Sequence, residues 1–242
     1  MEANATEQSE FTTLVITEIK EETHGTRSYF FDIPKGITWE AGTDVHFALP
    51  SFMTEDGPDK ALIRHMSMMT LPEEGKIAFT TRVPGSGSVY KKRLQALKPG
   101  DEIVMYKIGN RIPLRRENRS VVLVSMGVGI ATMRPMILSW LTDPTGIPTM
   151  TNLVVNKKGQ FVFKEAMDQH VTEGLTHIYS EDRMSFYTSL ETVAKDNESI
   201  FYVIGNDTFL EDVIKRLKAY GVQPDSIEID KKPEKKAEML GL

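Results

Sequence analysis

The chain contains no cysteine. Disulfides, thiolate nucleophiles and cysteine-held zinc or iron–sulfur centres are therefore excluded, and the composition suits a reducing compartment. Long apolar runs are also missing, since nothing approaches the roughly 18 residues that read as a membrane-spanning helix. The opening Met1-Glu2-Ala3-Asn4-Ala5-Thr6-Glu7 has neither the basic start nor the apolar core of a secretory signal. The expectation is a cytoplasmic protein without a membrane span. Positive charge is scarce too. Lys and Arg total 29 against 34 Asp and Glu, a net charge of −5, which argues against nucleic acid as a partner. The histidines, at 24, 46, 65, 170 and 177, show no metal-ligand spacing, so no metal site is expected.

What is present falls into two patterns. The 242 residues suffice for one large or two small domains. Over residues 12–108, short segments rich in β-branched and aromatic residues alternate with turn signals. Thr13-Leu14-Val15-Ile16-Thr17, Ser28-Tyr29-Phe30-Phe31-Asp32 and Lys76-Ile77-Ala78-Phe79-Thr80-Thr81 are examples, with His24-Gly25 and Pro34-Lys35-Gly36 among the turns. This spacing predicts a small antiparallel β-barrel, with one helix near 89–97. After the polar stretch Arg115-Arg116-Glu117-Asn118-Arg119 the pattern changes. Apolar strands, beginning with Val121-Val122-Leu123-Val124, alternate with helical segments near 131–141, 164–169 and 207–220, which predicts a five-stranded parallel α/β sheet. The expected organisation is a barrel over 1–117, an α/β domain over 118–230 and a charged tail over 231–242.

Four segments could carry chemistry. Arg64-His65-Met66-Ser67 reads as a strand, so Arg64 and Met66 share one face and His65 and Ser67 the other. An arginine fork suits a phosphate and a serine hydroxyl suits a ring edge, although a salt bridge and a surface serine would explain them equally. Arg82 leads into Val83-Pro84-Gly85-Ser86-Gly87-Ser88, just before a helix, where free backbone N–H groups favour an anion. A loop with Ser86 or Ser88 as N-cap is the plainer reading. Met126-Gly127-Val128-Gly129-Ile130-Ala131-Thr132 follows a buried strand. Gly127 could make the tight turn and Gly129 could admit a pyrophosphate, but Thr132 stands at the third glycine of the dinucleotide fingerprint. Gly205-Asn206-Asp207 ends the fourth parallel strand, where ligands of such sheets bind; Asn206 or Asp207 also suits an N-cap.

The order of these segments resembles the ferredoxin–NADP reductase superfamily over most of the chain, about residues 11–230. The family's Arg-x-Tyr-Ser motif is similar to Arg64–Ser67, its Gly-x-x-Ser loop to Gly85-Ser86-Gly87-Ser88, its Gly-Gly-Thr-Gly-Ile-Ala-Pro turn to residues 126–132, and its Tyr-x-Cys-Gly-Pro element to Tyr202-Val203-Ile204-Gly205-Asn206. The resemblance implies that Arg64 and the Gly85–Ser88 loop hold flavin phosphate and that Ser67, as the catalytic residue, lies by flavin N5. It also implies that Gly127, Val128, Gly129, Ile130, Thr132, Gly205 and Asn206 seat a nicotinamide nucleotide. Lys157 and Arg183 are candidates for a 2′-phosphate of NADPH, while Glu181 and Asp182 point toward NADH. The implied cofactors are FAD, or FMN, with NADPH or NADH. The implied activity is a flavin oxidoreductase passing electrons to a redox protein such as ferredoxin or flavodoxin, or to a small acceptor such as a ferric chelate. An electron-transfer subunit of a larger complex, or a binding module that has lost flavin, are the alternatives. Met66 departs from the family's aromatic, Ile204 from its cysteine and Val128 from its threonine, and no aromatic ends the chain.

Overall fold

A computed structural model describes residues 11–83, 87–170 and 172–242, with all side chains among them except that of Lys158. The first half comprises β1 (Thr12–Thr23), β2 (Thr26–Asp32), β3 (Thr43–Ala48), a ribbon of β4 (Met53–Thr54) and β5 (Gly57–Pro58), then β6 (Ile63–Ser67), β7 (Lys76–Arg82), helix α1 (Val89–Ala96) and β8 (Glu102–Asn110). Six strands form one antiparallel sheet in the order β6-β3-β8-β1-β2-β7. The ends of that sheet meet where Met69 N–H, just past β6, donates to the Ala78 carbonyl of β7 at 2.9 Å. The result is barrel-like, as the strand spacing predicts. Its interior is built on rings from alternate positions: Tyr29, Phe31, Phe47 and Phe79 are fully buried, and Phe47 and Phe79 lie 4.4 Å apart between centroids. Helix α1 closes one end with Tyr90 and Leu94.

The second half comprises β9 (Val121–Met126), α2 (Ile130–Thr142), β10 (Met150–Val155), α3 (Lys164–Asp168), β11 (Leu175–Ser180), α4 (Arg183–Ala194), β12 (Ile200–Ile204), α5 (Asp207–Ala219), β13 (Ile227–Ile229) and α6 (Pro233–Leu240). Its strands are all parallel, in the order β11-β10-β9-β12-β13. Period-two alternation divides each strand between two cores. Val121 and Leu123 face one core with Ile200 and Tyr202, whereas Val122 and Val124 face the other with Phe201 and Val203. Both faces are covered, which explains the unbroken apolar runs.

Helix α4 is not anticipated by the sequence pattern. Its serines and threonines dilute the apolar signal, yet Phe186, Leu190 and Ala194 recur every four residues, and Asp182 caps it by accepting from Ser185 N–H at 2.9 Å. The charged stretch expected as a tail also folds: α6 buries Leu240, and its last turn is tied by Lys218 Nζ to the Leu240 carbonyl. Lys231 pairs with Asp207 at 2.9 Å and Lys236 pairs with Glu228. Among the described residues no helix is long and apolar enough to cross a membrane.

The halves share a core. Ala41, Met69, Ala78 and Ile112 of the barrel side pack with Ile130, Met133, Met136 and Trp140 of the other. Burying one such large apolar side chain contributes about 1.5–3 kcal/mol, so this seam is more than a linker contact. Arg134 of α2 strengthens it with a two-pronged pair to Glu74, at 2.7 and 2.9 Å, and a bond to the Met69 carbonyl. The basic linker serves the opposite, N-terminal edge of the parallel sheet. There Arg115 binds Glu117 and Glu228, and Arg119 reaches Ser226.

Candidate functional site

All five parallel strands end on one side, and the candidate residues of the second half gather at that edge. A sheet with strand order reversing about its first strand opens a crevice between β9 and β12. The turn between β9 and α2 sits over it. Gly127 takes a left-handed φ of +57°, and a Cβ there would meet nothing within 4 Å, so this glycine serves a tight turn with an open side. Gly129 differs from the expectation. Its φ is ordinary, and a Cβ would fall 2.9 Å from the Ile204 carbonyl oxygen. The close approach of β12 requires a glycine here. No side chain caps the 3-10 turn over Gly127–Gly129 that leads into α2; Ile130 N–H is taken by the Val128 carbonyl, so the amides at the start of that turn are the ones open to an anion.

The neighbouring candidates have structural work as well. The Asn206 side chain caps α5, accepting from Phe209 N–H at 2.9 Å. A Cβ on Gly205 would overlap the Phe209 ring at 2.4 Å. Ile130 buries its side chain in the shared core, so only its backbone faces the turn; Val128 is partly buried against the same core. Lys157 lies in the turn after β10, and the exposed Arg183 opens α4 after β11. These strands are neighbours, and the Glu181 carboxylate, after β11, lies 2.9 Å from where Gly159, in the turn after β10, would carry a Cβ.

The barrel supplies the second set. β6 splits its residues as its pleat requires. Arg64 donates to Ser88 Oγ at 2.7 Å and lies 5.3 Å from the Tyr90 ring centroid. Ser88 is the N-cap residue of α1 but makes no capping bond. Its hydroxyl accepts from Arg64 instead, which leaves the first turn of α1 open beside a guanidinium. Lys91 on that helix is pushed below the ordinary lysine range by burial and by the charges of Arg64 and Arg82. Among the described residues, none of these three cations pairs with a carboxylate. Such an acid-free cluster at a helix start fits a phosphate. Gly85 and Ser86 lie outside the described residues; Gly87 is exposed. Met66 spends part of its side chain on the barrel core.

On the other face of β6, Ser67 Oγ lies 2.8 Å from Thr132 Oγ1 in the first turn of α2. This bond carries the hydroxyl of the barrel motif to the β9–α2 turn. Thr132 is buried, so it acts as a tie between the halves and not as an open ligand group. His65 points the same way and is bonded to Asp44. Asp44 and the buried Oδ1 of Asp230, which follows β13, belong to this region and were missed in the sequence. A lone acid in the otherwise apolar-aromatic strand Thr43–Ala48 was the available signal for the first.

Fold and site together define a two-domain class in which a barrel with an anion cradle is joined to a parallel sheet with a nucleotide-type turn. No family model matches the chain. The structure superposes on a ferredoxin NADP+ reductase from Neisseria gonorrhoeae with bound FAD and NADP at a TM-score of 0.74 and 14% identity, covering 87% of this chain and 92% of that one. It also matches the flavohem-like FAD/NAD binding domain of nitric oxide dioxygenase from Vibrio cholerae, with a TM-score of 0.68 and 21% identity over 90% and 97% of the two chains. In sequence it is 25% identical over 246 residues to a subunit of the Na(+)-translocating NADH-quinone reductase of Actinobacillus pleuropneumoniae, covering 88% of this chain. The chain spans 58% of that relative and 49% of its Neisseria meningitidis counterpart. It has the ferredoxin–NADP reductase fold, as its motifs implied.

Proposed function

We propose that the chain is a flavoprotein oxidoreductase that takes a hydride from NAD(P)H and passes electrons to a further acceptor. The observation that carries this reading is the acid-free cation cluster at α1 and the open Gly127–α2 turn, with the Ser67–Thr132 bond tying the strand that carries Arg64 to the start of α2. Arg64, Arg82, Lys91 and the α1 amides would hold flavin phosphate, and the amides of the turn before α2 the nucleotide pyrophosphate. FAD is favoured by the solved relative that binds it. Bound flavin supplies the capacity to accept a hydride and release electrons in separate steps. The protein's contribution is placement: Thr132 fixes the Ser67 hydroxyl, and the shared core holds the two halves in register while excluding water from the seam. A cytoplasmic setting, with access to NAD(P)H, belongs to the same proposal.

The visible spectrum of the purified protein, followed by anaerobic addition of NADH and NADPH, tests it. Flavin bands that bleach with a nucleotide support the reading. Bands that resist both favour a second one, an electron relay within a larger complex that receives its electrons from a partner protein, which the matched reductase subunits and their greater length recommend. No bands, even after incubation with FAD and FMN, would return the chain to a binding module.

Two variants probe the nucleotide side. Gly129→Val forces the turn away from the Ile204 carbonyl, and overpacking of this kind costs about 1–3 kcal/mol. The expected result is a loss of roughly 5- to 150-fold in kcat/KM for the nucleotide, with flavin content unchanged. Normal turnover would remove this turn from the site. The Glu181 carboxylate beside the turn after β10 favours NADH, since it can accept from ribose hydroxyls but repels a 2′-phosphate. NADH should be preferred over NADPH by about tenfold or more, and Glu181→Gln should narrow that gap, because like-charge juxtaposition costs several kcal/mol. Equal kcat/KM for the two nucleotides would place Glu181 outside the ribose site.

A further inference from the structure

The face of β6 that carries Ser67 holds a set of titratable groups with no part in binding phosphate. Strand pairing sets Asp44 opposite Ser67 and His46 opposite His65. Asp44 is almost fully enclosed and divides its oxygens: His65 Nε2–H donates to Oδ1 at 2.6 Å, and Arg111 Nε lies 3.8 Å from Oδ2. Just after β13, Asp230 carries a buried Oδ1 without a protein hydrogen-bond partner among the described residues. It feels the charges of His65, Asp44 and Lys231. His46 lies edge-on to His65 at 5.2 Å. Burial and the charges of His65, Lys107 and Arg111 lower it from the ordinary histidine value.

We propose that His65, oriented by Asp44, holds and returns the proton that accompanies electron-pair transfer at the Ser67 face. The inference rests on the flavin reading above. Bound flavin would accept the electron pair and hydrogen as the nicotinamide C–H bond breaks, and would gain one negative charge. One proton balances that charge. Imidazole is the side chain suited to exchanging a proton near neutral pH. The bond from Nε2–H to Asp44 fixes the tautomer and leaves Nδ1 as the atom that gains and loses the proton. The His65 side chain is 29% exposed, enough for solvent to replace the proton. Asp44 balances the imidazolium. Burial raises the Asp230 carboxyl above its ordinary value, opposed by the charge of Lys231.

The test is the midpoint potential of the bound flavin as a function of pH, read anaerobically against a reference dye. One proton taken up with two electrons moves the potential about 30 mV per pH unit, a tenfold change in the equilibrium. The wild-type curve should change slope once, where the ring exchanges its proton with reduction. His65→Gln keeps an N–H donor for Asp44 but cannot ionise, and should remove that change while retaining flavin. Asp44→Asn should displace it, because the ring loses the carboxylate that orients it. Flavin-loaded variants whose curves overlay the wild type overturn this inference alone. A protein that takes up neither FAD nor FMN overturns the flavin reading and this inference with it.

Discussion

Arg64→Ala is expected to strip flavin from the protein while leaving the barrel folded. Arg64 points toward α1, where it donates to Ser88 and faces the Tyr90 ring, and no carboxylate neutralises it among the described residues. Its positive charge is therefore available to a phosphate. A charge-assisted hydrogen bond contributes roughly 1.5–3 kcal/mol, which is about a 10- to 150-fold loss of flavin affinity if one such bond to phosphate is removed. Arg64→Lys should recover only part of it, since an ammonium keeps the charge without the planar fork. The measurement is flavin retained after gel filtration and the dissociation constant on adding FAD back. Full retention by the Ala variant would mean that phosphate is held elsewhere. Circular dichroism distinguishes loss of flavin from loss of fold.

The largest stability effect is expected from Gly42→Ala. Gly42 precedes β3 at the seam between the halves, with φ of +89°. A Cβ there would lie 2.2 Å from the Ile112 carbonyl oxygen and 2.9 Å from Asn110 Oδ1, closer than any real contact. The adjoining Ala41 and Ile112 belong to the shared core, so the backbone cannot yield without opening it. Left-handed backbone costs an L-residue about 1–2 kcal/mol. Overpacking adds about 1–3 kcal/mol. The sum, about 2–5 kcal/mol, corresponds to a Tm roughly 4–20 °C lower for a chain of this size. Gly36→Ala is the matched control: its φ is +84°, but nothing lies within 4 Å of the added carbon. It should lose only the backbone part. Equal losses at the two positions would show that the seam around Ile112 is soft.

Both predictions concern features of unequal visibility in the sequence. The phosphate side was legible because Arg64 and Ser88 are local signals, each read from its own strand or helix start. What the sequence did not contain was their partnership across 24 residues, or Lys91, which joins them and Arg82. Gly129 carries a constraint the sequence did not show. A Gly-x-Gly turn after an apolar strand announces a close approach, but only the paired end of β12 shows that the approaching atom is the Ile204 carbonyl. Asn206 was placed correctly at a helix start, and its side chain is spent on capping α5.

Helix α4 and α6 escaped the sequence for related reasons. The first is polar enough that its four-residue apolar spacing carries little weight, and the second is mostly charged. Each gains its stability from what it packs against: α4 on the β10–β11 face through Phe186 and Leu190, and α6 beside α5 through Leu240.

The sequence by itself determined the two strand patterns, the order of the motifs and the absence of thiol chemistry, because these depend on composition and on spacings within a few residues. Only the tertiary structure decided that Ser67 meets Thr132, 65 residues away, and that Asp44, His65 and Asp230 share one region. Those neighbours arise from strand register and from the packing of barrel against α2, and neither leaves a periodic trace in the chain.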